Sequence, residues 1–225
     1  MPYAERPTGV PGVVLWIKEA AASARILPDG CLDLLWDGTR LTVAGPDTAA
    51  RWHTESPGTS YAALRMAAGT GPALLGVPAD ALRDRVWRLD DLWAEQDVRR
   101  LAEQVADGGA AALTAWVRAQ RARTEPDPLG GRVLALACTG TSVADIADQL
   151  GLGPRQLHRR CLQLFGYGPR HLSRILRLER ALAASGSLAE VAHECGYADQ
   201  AHLSREVRDL TGTTPSRLRR ELFGQ

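Results

Sequence analysis

Between Ser142 and Arg220 the chain carries one pattern twice, and this duplication limits what it can fold into more than any other feature. Ser142, Val143, Ala147 and Gly151 recur as Ser187, Leu188, Ala192 and Gly196, forty-five residues on. Leu157, Arg159, Leu164, Gly166, Pro169 and Leu172 recur as Leu203, Arg205, Leu210, Gly212, Pro215 and Leu218, forty-six residues on. The unit is therefore duplicated, with a turn one residue longer in the second copy.

Each copy reads as two short helices joined by a tight turn. Ser142 and Ser187 are helix-capping residues, and Glu190 completes a capping box with Ser187. Gly151 and Gly196 stop the first helix because glycine accepts a left-handed backbone cheaply. Pro154 suits the first turn of the next helix, where a missing N–H costs nothing. Val143, Ile146 and Ala147 form one apolar face, as do Leu188, Val191 and Ala192 in the second copy. Small residues at Ala147 and Ala192 let two helices approach closely. This is the plan of a helix-turn-helix, whose second helix protrudes and can enter the DNA major groove.

The second helix of each copy divides into two stripes. Leu157, Cys161 and Leu164 are the apolar stripe in the first, and Leu203, Val207 and Leu210 in the second. The outward stripes carry Arg155, His158 and Arg159, then Gln200, Ala201, Ser204 and Arg205. Arginine can bond guanine and glutamine can bond adenine by paired hydrogen bonds, so these seven are the candidate base readers. Between the copies, Pro169 to Ala184 is expected to be one helix of about 24 Å. It places Arg170, Arg174 and Arg177 on one face. With Arg160 these are the candidate phosphate contacts. Two recognition helices about 34 Å apart could occupy successive major grooves on one side of DNA.

Charge agrees with that division. The chain has 27 Lys and Arg against 26 Asp and Glu. From Asp127 onward there are 13 arginines and 10 acids, a local excess of +3 that the remainder offsets only in part. Gly153 to Arg180 alone holds seven arginines and one acid, Glu179. Such a block is either a phosphate-facing surface or a solvated helix face.

The first half is of another kind. Apolar runs at Gly12–Ile17, Ala24–Leu27, Cys31–Trp36, Arg40–Ala44, Tyr61–Ala67 and Val86–Leu89 read as strands. Asp37-Gly38 between two of them marks a hairpin. Pro78–Leu82 reads as a short helix, and residues 1–12 as irregular. Helical periodicity begins at Asp91, pauses at Gly108-Gly109 and resumes through Leu113, Trp116 and Val117. These helices could pack on the β half or pair with another chain. Thr124–Gly131, with two prolines and two glycines, reads as a linker. The expected organisation is a small, mostly β α+β domain at 1–90, a helical linker at 91–126, and an all-α domain with two helix-turn-helix motifs at 127–225.

The segment AHECGYADQAHLSREVRDLTGTTPSRLRR resembles the signature of the AraC/XylS family of bacterial transcription regulators. Ala192, Gly196, Tyr197, Gln200, His202, Ser204, Arg205, Gly212, Pro215 and Arg219 stand at its fixed points. Ala201, Leu203 and Val207 depart from it, where Ser, an aromatic residue and Phe are usual. The resemblance covers 127–225 and implies a sequence-specific DNA-binding regulator whose base contacts come from the seven residues named above. Ala201 offers only an apolar contact, for instance to a thymine methyl. More loosely, ILPDGCLDLLW, VAGPDT, LLGVPADAL and RLDDLW resemble short regulatory domains attached to some family members. Longer relatives have a cupin-like barrel that binds a small effector, and this half is short enough to make at most a partial one.

A small-molecule effector is accordingly expected in the N-terminal half. Trp16, Trp36, Trp52 and Trp87 are candidates to line its pocket, although indoles equally fill cores. Double-stranded promoter DNA, RNA polymerase and a second copy are the expected partners. No cofactor, metal or catalytic residue is expected: the half has one histidine, His53, and the four cysteines form no CxxC pair. A cytoplasmic, non-membrane protein follows from scattered thiols and from the lack of a leader-like or long apolar run. Two other readings stand beside this one. One is a DNA-docking repair or modification enzyme with Cys31 as acceptor, and the other a regulator without a ligand.

Overall fold

The computed structural model describes residues 3–20, 23–54 and 58–223. The chain opens with seven strands: β1 (Ala4–Pro7), β2 (Val13–Glu19), β3 (Ser23–Ile26), β4 (Leu32–Trp36), β5 (Leu41–Ala44), β6 (Arg51–Thr54) and β7 (Ser60–Met66). Short helices α1 (Gly71–Leu75) and α2 (Ala79–Leu82) lead to β8 (Val86–Arg88). The rest is helical: α3 (Glu95–Arg123), α4 (Pro128–Cys138), α5 (Val143–Leu150), α6 (Pro154–Phe165), α7 (Pro169–Ala183), α8 (Leu188–Glu194), α9 (Gln200–Thr211) and α10 (Pro215–Phe223).

Six strands form one antiparallel sheet in the order β1-β2-β7-β4-β5-β8, and β3 pairs with β6 in a second. Alternation puts one face of the large sheet into the core. Leu15, Leu64, Leu34, Val43 and Trp87 lie side by side across five strands. Leu101, Val105, Leu113 and Val117 of α3 bury against this face. Helix α3 is two arms, broken at Gly109 (φ 56°, ψ −141°). Of the two arrangements open to the stretch at 91–126, the molecule takes packing on the β half. On the opposite sheet face, the Trp16 indole donates to the Asp33 carboxylate at 2.7 Å. Burial pushes the Asp33 carboxyl up to about 6.

The sequence reading needs four corrections. The stretch expected to be irregular contains β1 among its described residues, an exposed edge strand where proline is tolerated. Strand β6 and helix α1 were not anticipated. Helix α4 begins at Pro128, inside the expected linker. Asp127 caps it by accepting the Leu129 N–H at 2.9 Å, and Pro128 occupies its first turn. The connection between α3 and α4 is thus only residues 124–127.

The helical half has two cores. Val133, Ile146, Leu157, Cys161, Phe165 and Leu172 belong to the first, and Leu178, Val191, Tyr197, Leu203, Val207 and Leu218 to the second. Helix α7 supplies both: Leu172, Ile175 and Leu176 enter the first, Leu178 and Ala181 the second. It runs for 15 residues, about 22 Å.

Candidate nucleic-acid interface

Each helix-turn-helix is set by its own capping chemistry. In the first, Ser142 Oγ accepts the Asp145 N–H at 3.2 Å, and Gly151 closes α5 in the left-handed region (φ 64°). The Gln156 side chain accepts the Gly153 N–H at 3.0 Å and fixes the entry to α6. In the second, Ser187 and Glu190 bond reciprocally, 3.3 Å and 2.8 Å. Asp199 caps α9 by accepting the His202 N–H at 2.6 Å. The His202 ring accepts the Ala198 N–H at 3.2 Å and meets Tyr197 edge-on at 5.4 Å. His202 therefore shapes the turn. Ala147 and Ala192 are both buried at the helix crossings.

These turns leave one side of each recognition helix free. Arg155, His158 and Arg159 on α6 are exposed, as are Gln200, Ala201 and Arg205 on α9, with Ser204 half-buried beside them. Among the described residues none of the three arginines has an ion-pair partner, which leaves them available to an anion or a base edge. The His158 ring leans on Gly168, where a Cβ would stand 2.6 Å from it, so it lies at the joint between α6 and α7.

The four arginines expected at phosphates differ from one another. Arg170 is exposed near the start of α7. Arg174 donates to both oxygens of Glu206 at 3.0 Å and approaches Asp209 at 3.6 Å, which binds α7 to α9. Arg177 lies 5.3 Å from the centre of the Tyr197 ring. Arg160 pairs with Asp127 at the head of α4. Three of the four thus hold the domain together, a role sequence spacing did not suggest. Arg219, at the same time, reaches back to the carbonyls of Gly186 (3.0 Å) and Ala184 (3.3 Å).

The four tryptophans do not converge on a pocket. Trp16 lies on one face of the large sheet with Asp33, while Trp36 and Trp87 pack in the core on the other. Trp52 is 61% exposed, with the Arg25 guanidinium 4.6 Å above its ring. A cleft of ≈ 1110 Å³ opens elsewhere, between α1 and the two arms of α3. Leu74, Leu75, Leu101, Trp93, Trp116 and Arg123 are among its lining residues. Trp93 and Trp116 stand 5.7 Å apart, and Trp93 donates to the Leu75 carbonyl at 2.9 Å. Trp116 had been read only as part of a helical stretch. The Gly108-Gly109 pause before Trp116 was the one sign that two arms would fold over a hollow.

Cys31 is half-buried, and desolvation, then the carboxylates of Asp33 and Glu179, push its thiol up to about 12. A thiol held protonated is a poor nucleophile, which counts against an acceptor role. No group of three or more His, Cys, Asp or Glu side chains suited to a metal occurs among the described residues. Nor is any helix among them long and apolar enough to cross a membrane.

Two helix-turn-helix units on one shared helix, each with an exposed polar recognition face, define a dual helix-turn-helix protein. Residues 146–221 match a helix-turn-helix domain family, and residues 13–88 match a domain of unknown function (DUF6597). Over 84 residues the chain is 36% identical to the HTH-type transcriptional activator RhaS of Pectobacterium atrosepticum. That match takes in 36% of this chain but only 30% of the relative. The chain thus spans less than a third of the length of the curated relatives it matches. Among solved structures, apo ToxT from Vibrio cholerae strain SCE256 aligns over 94% of this chain and 98% of its own, at 12% identity and a TM-score of 0.49. The C-terminal domain of AraT from Geobacillus stearothermophilus aligns over 42% and 85%, at 23% identity and a TM-score of 0.39. The helix-turn-helix half is thus similar to that of AraC/XylS-type regulators.

Proposed function

We propose that the protein is a sequence-specific transcription regulator that reads promoter DNA with α6 and α9 together. The observation that carries this reading is the pair of outward recognition faces mounted on a helix whose two ends belong to two different cores. Arg155, His158 and Arg159 read one major groove; Gln200, Ala201, Ser204 and Arg205 read the next. Arg170 contacts the phosphate backbone. Arg160, Arg174 and Arg177 position the modules and add positive field. Selection from a random duplex library tests this: one bipartite motif should be enriched. Enrichment of no sequence would overturn the reading.

The same proposal gives the N-terminal half a regulatory role. A small molecule of flat, apolar character fits the cleft under Trp93 and Trp116, where two aromatic rings and aliphatic side chains dominate the wall. Bound at a promoter, such a protein acts through RNA polymerase, and a second copy can occupy a neighbouring site. A thermal-shift screen in which no apolar aromatic compound stabilises the protein, with promoter binding unaffected by any of them, would leave a regulator controlled by its abundance alone.

A further inference from the structure

The two recognition helices are held by the N-terminal domain at equivalent ends. Helix α6 ends at Phe165, and the carbonyl of Gly166, which closes it, accepts from Arg83 Nη1 at 3.0 Å. Helix α9 finishes at Thr211, whose carbonyl accepts from Arg25 Nη1 at 2.5 Å, while the Leu210 carbonyl accepts the Ala50 N–H at 2.6 Å. Gly166 and Gly212, the residues that close these helices, occupy the same place in the duplicated unit. The last carbonyls of a helix lack partners within it and carry partial negative charge, so a guanidinium is a fitting partner at each site.

These grips are parts of one connected piece. Arg25 lies on β3, which pairs with β6, and Ala50 immediately precedes β6. Glu221 at 3.1 Å and the Trp52 ring at 4.6 Å hold Arg25 from two sides, and its side chain is 13% exposed. Arg83 is followed by Asp84, whose carboxylate accepts the Thr48 N–H at 2.6 Å and the Thr48 hydroxyl at 2.9 Å. Asp84 also donates its N–H to the Pro46 carbonyl at 3.2 Å, and it is the one non-glycine residue at positive φ (58°) among those described. A backbone held there needs surroundings that determine it. The Thr48 carbonyl, finally, bonds the His171 ring on α7 at 2.9 Å. From Arg83 through Asp84, Thr48 and Ala50 to Arg25, one continuous bracket touches α6, α7 and α9.

We infer that Arg25 and Arg83 are positioning residues for DNA recognition, setting the distance between the two recognition helices from outside the helix-turn-helix domain. This rests on the reading that α6 and α9 bind DNA together. Helix α7 is the obvious alternative source of that spacing, since both modules share it. A single helix between two small cores can still bend and twist at its joints, whereas a bracket that grips both far ends removes those motions. Two linked readers bind jointly only when their separation matches the site. The bracket therefore converts the preferred separation into a strict one.

The test compares the full-length protein with the Arg25→Met, Arg83→Met double variant, which keeps most of each aliphatic stem. Each is used to select from a random duplex library. The readout is the pair of half-motifs and the number of base pairs between them. Binding to the selected site is then measured with two base pairs added at its centre. The wild-type protein should enrich a single spacing, and the insertion should weaken it about 100-fold. The double variant should enrich the same half-motifs at several spacings, with an insertion penalty of about fivefold. A folded double variant with unchanged half-motifs and a single spacing would overturn the inference, because α7 alone would then suffice. Loss of the half-motifs in a folded variant would overturn it too, by making the arginines part of the reading itself. Failure of the wild-type protein to enrich anything removes the DNA-binding reading and the bracket with it. If the double variant melts below assay temperature, Arg83→Met alone gives the same readout, since that side chain is 42% exposed.

Discussion

The two helix-turn-helix modules descend from one pattern yet differ in how they meet the rest of the molecule. The first presents two arginines and a histidine on α6, and its far end is pressed against the N-terminal domain. A Cβ on Gly166 would stand 2.5 Å from Pro46 Cγ and 3.2 Å from the Ala79 carbonyl oxygen. The second presents glutamine, alanine, serine and one arginine on α9. At its far end Gly212 is exposed, and a Cβ would meet only Arg25 Nη1 at 3.6 Å. The difference separates two tasks that the duplication had left equal. On the proposed reading, the first module has the stronger equipment for reading bases, and it has the more crowded seat. On the same reading the second has weaker reading chemistry, and its end is held by polar bonds from Arg25 and Ala50 with Leu27 packed on its core.

The largest effect should come from the seats. Gly166→Ala meets both a crowded neighbour and a φ of 83°, and should cost about 3 kcal/mol of stability. Gly212→Ala has the strained φ alone and should cost about 1 kcal/mol. Denaturant melts of the two variants measure the gap, and equal losses would remove the distinction between the seats. Next come the readers. Arg159→Ala should weaken specific binding by about 2–3 kcal/mol and Arg205→Ala by about 1 kcal/mol, with base choice relaxed locally in each. Titration against selected and random duplexes checks this. Equal losses on both duplexes for Arg159→Ala would end its role as a base reader. The smallest effect separates free from engaged arginines. Arg170→Ala should lower the salt slope of binding by about 1 while leaving the melting temperature nearly unchanged. Arg174→Ala should instead lower stability, since it strands Glu206, and leave the slope closer to that of the wild type.

Much of this was legible in the chain because it is local. Ser187 with Glu190, Gly151 before Pro154, and Asp37-Gly38 between two apolar runs each act within a few residues. The structure puts a cap, a turn and a hairpin at those points. Strand β6 was hidden because RWHT has no alternation of apolar residues: Trp52, the most apolar of the four, faces outward over Arg25. The first turn of helix α4 was hidden by composition, since Pro-Leu-Gly-Gly reads as a break unless Asp127 is recognised as its cap. At the site, spacing could put Arg170 and Arg174 on one face. It could not reveal that Arg174 has a partner 32 residues away on α9. The dispersal of Trp16, Trp36, Trp52 and Trp87 has the same cause, because strand order and face decide which indoles meet.

The short connection between α3 and α4 has a consequence for how the two halves can part. Four residues, 124–127, reach at most about 14 Å when fully stretched. Asp127 is moreover pinned at one end of them by its bond to Arg160. If the seam between the halves opens, they swing on a short leash and stay within reach of the same contacts. Closure is then a return over a few ångströms rather than a search, so even modest bonds at Arg25 and Arg83 favour the docked arrangement.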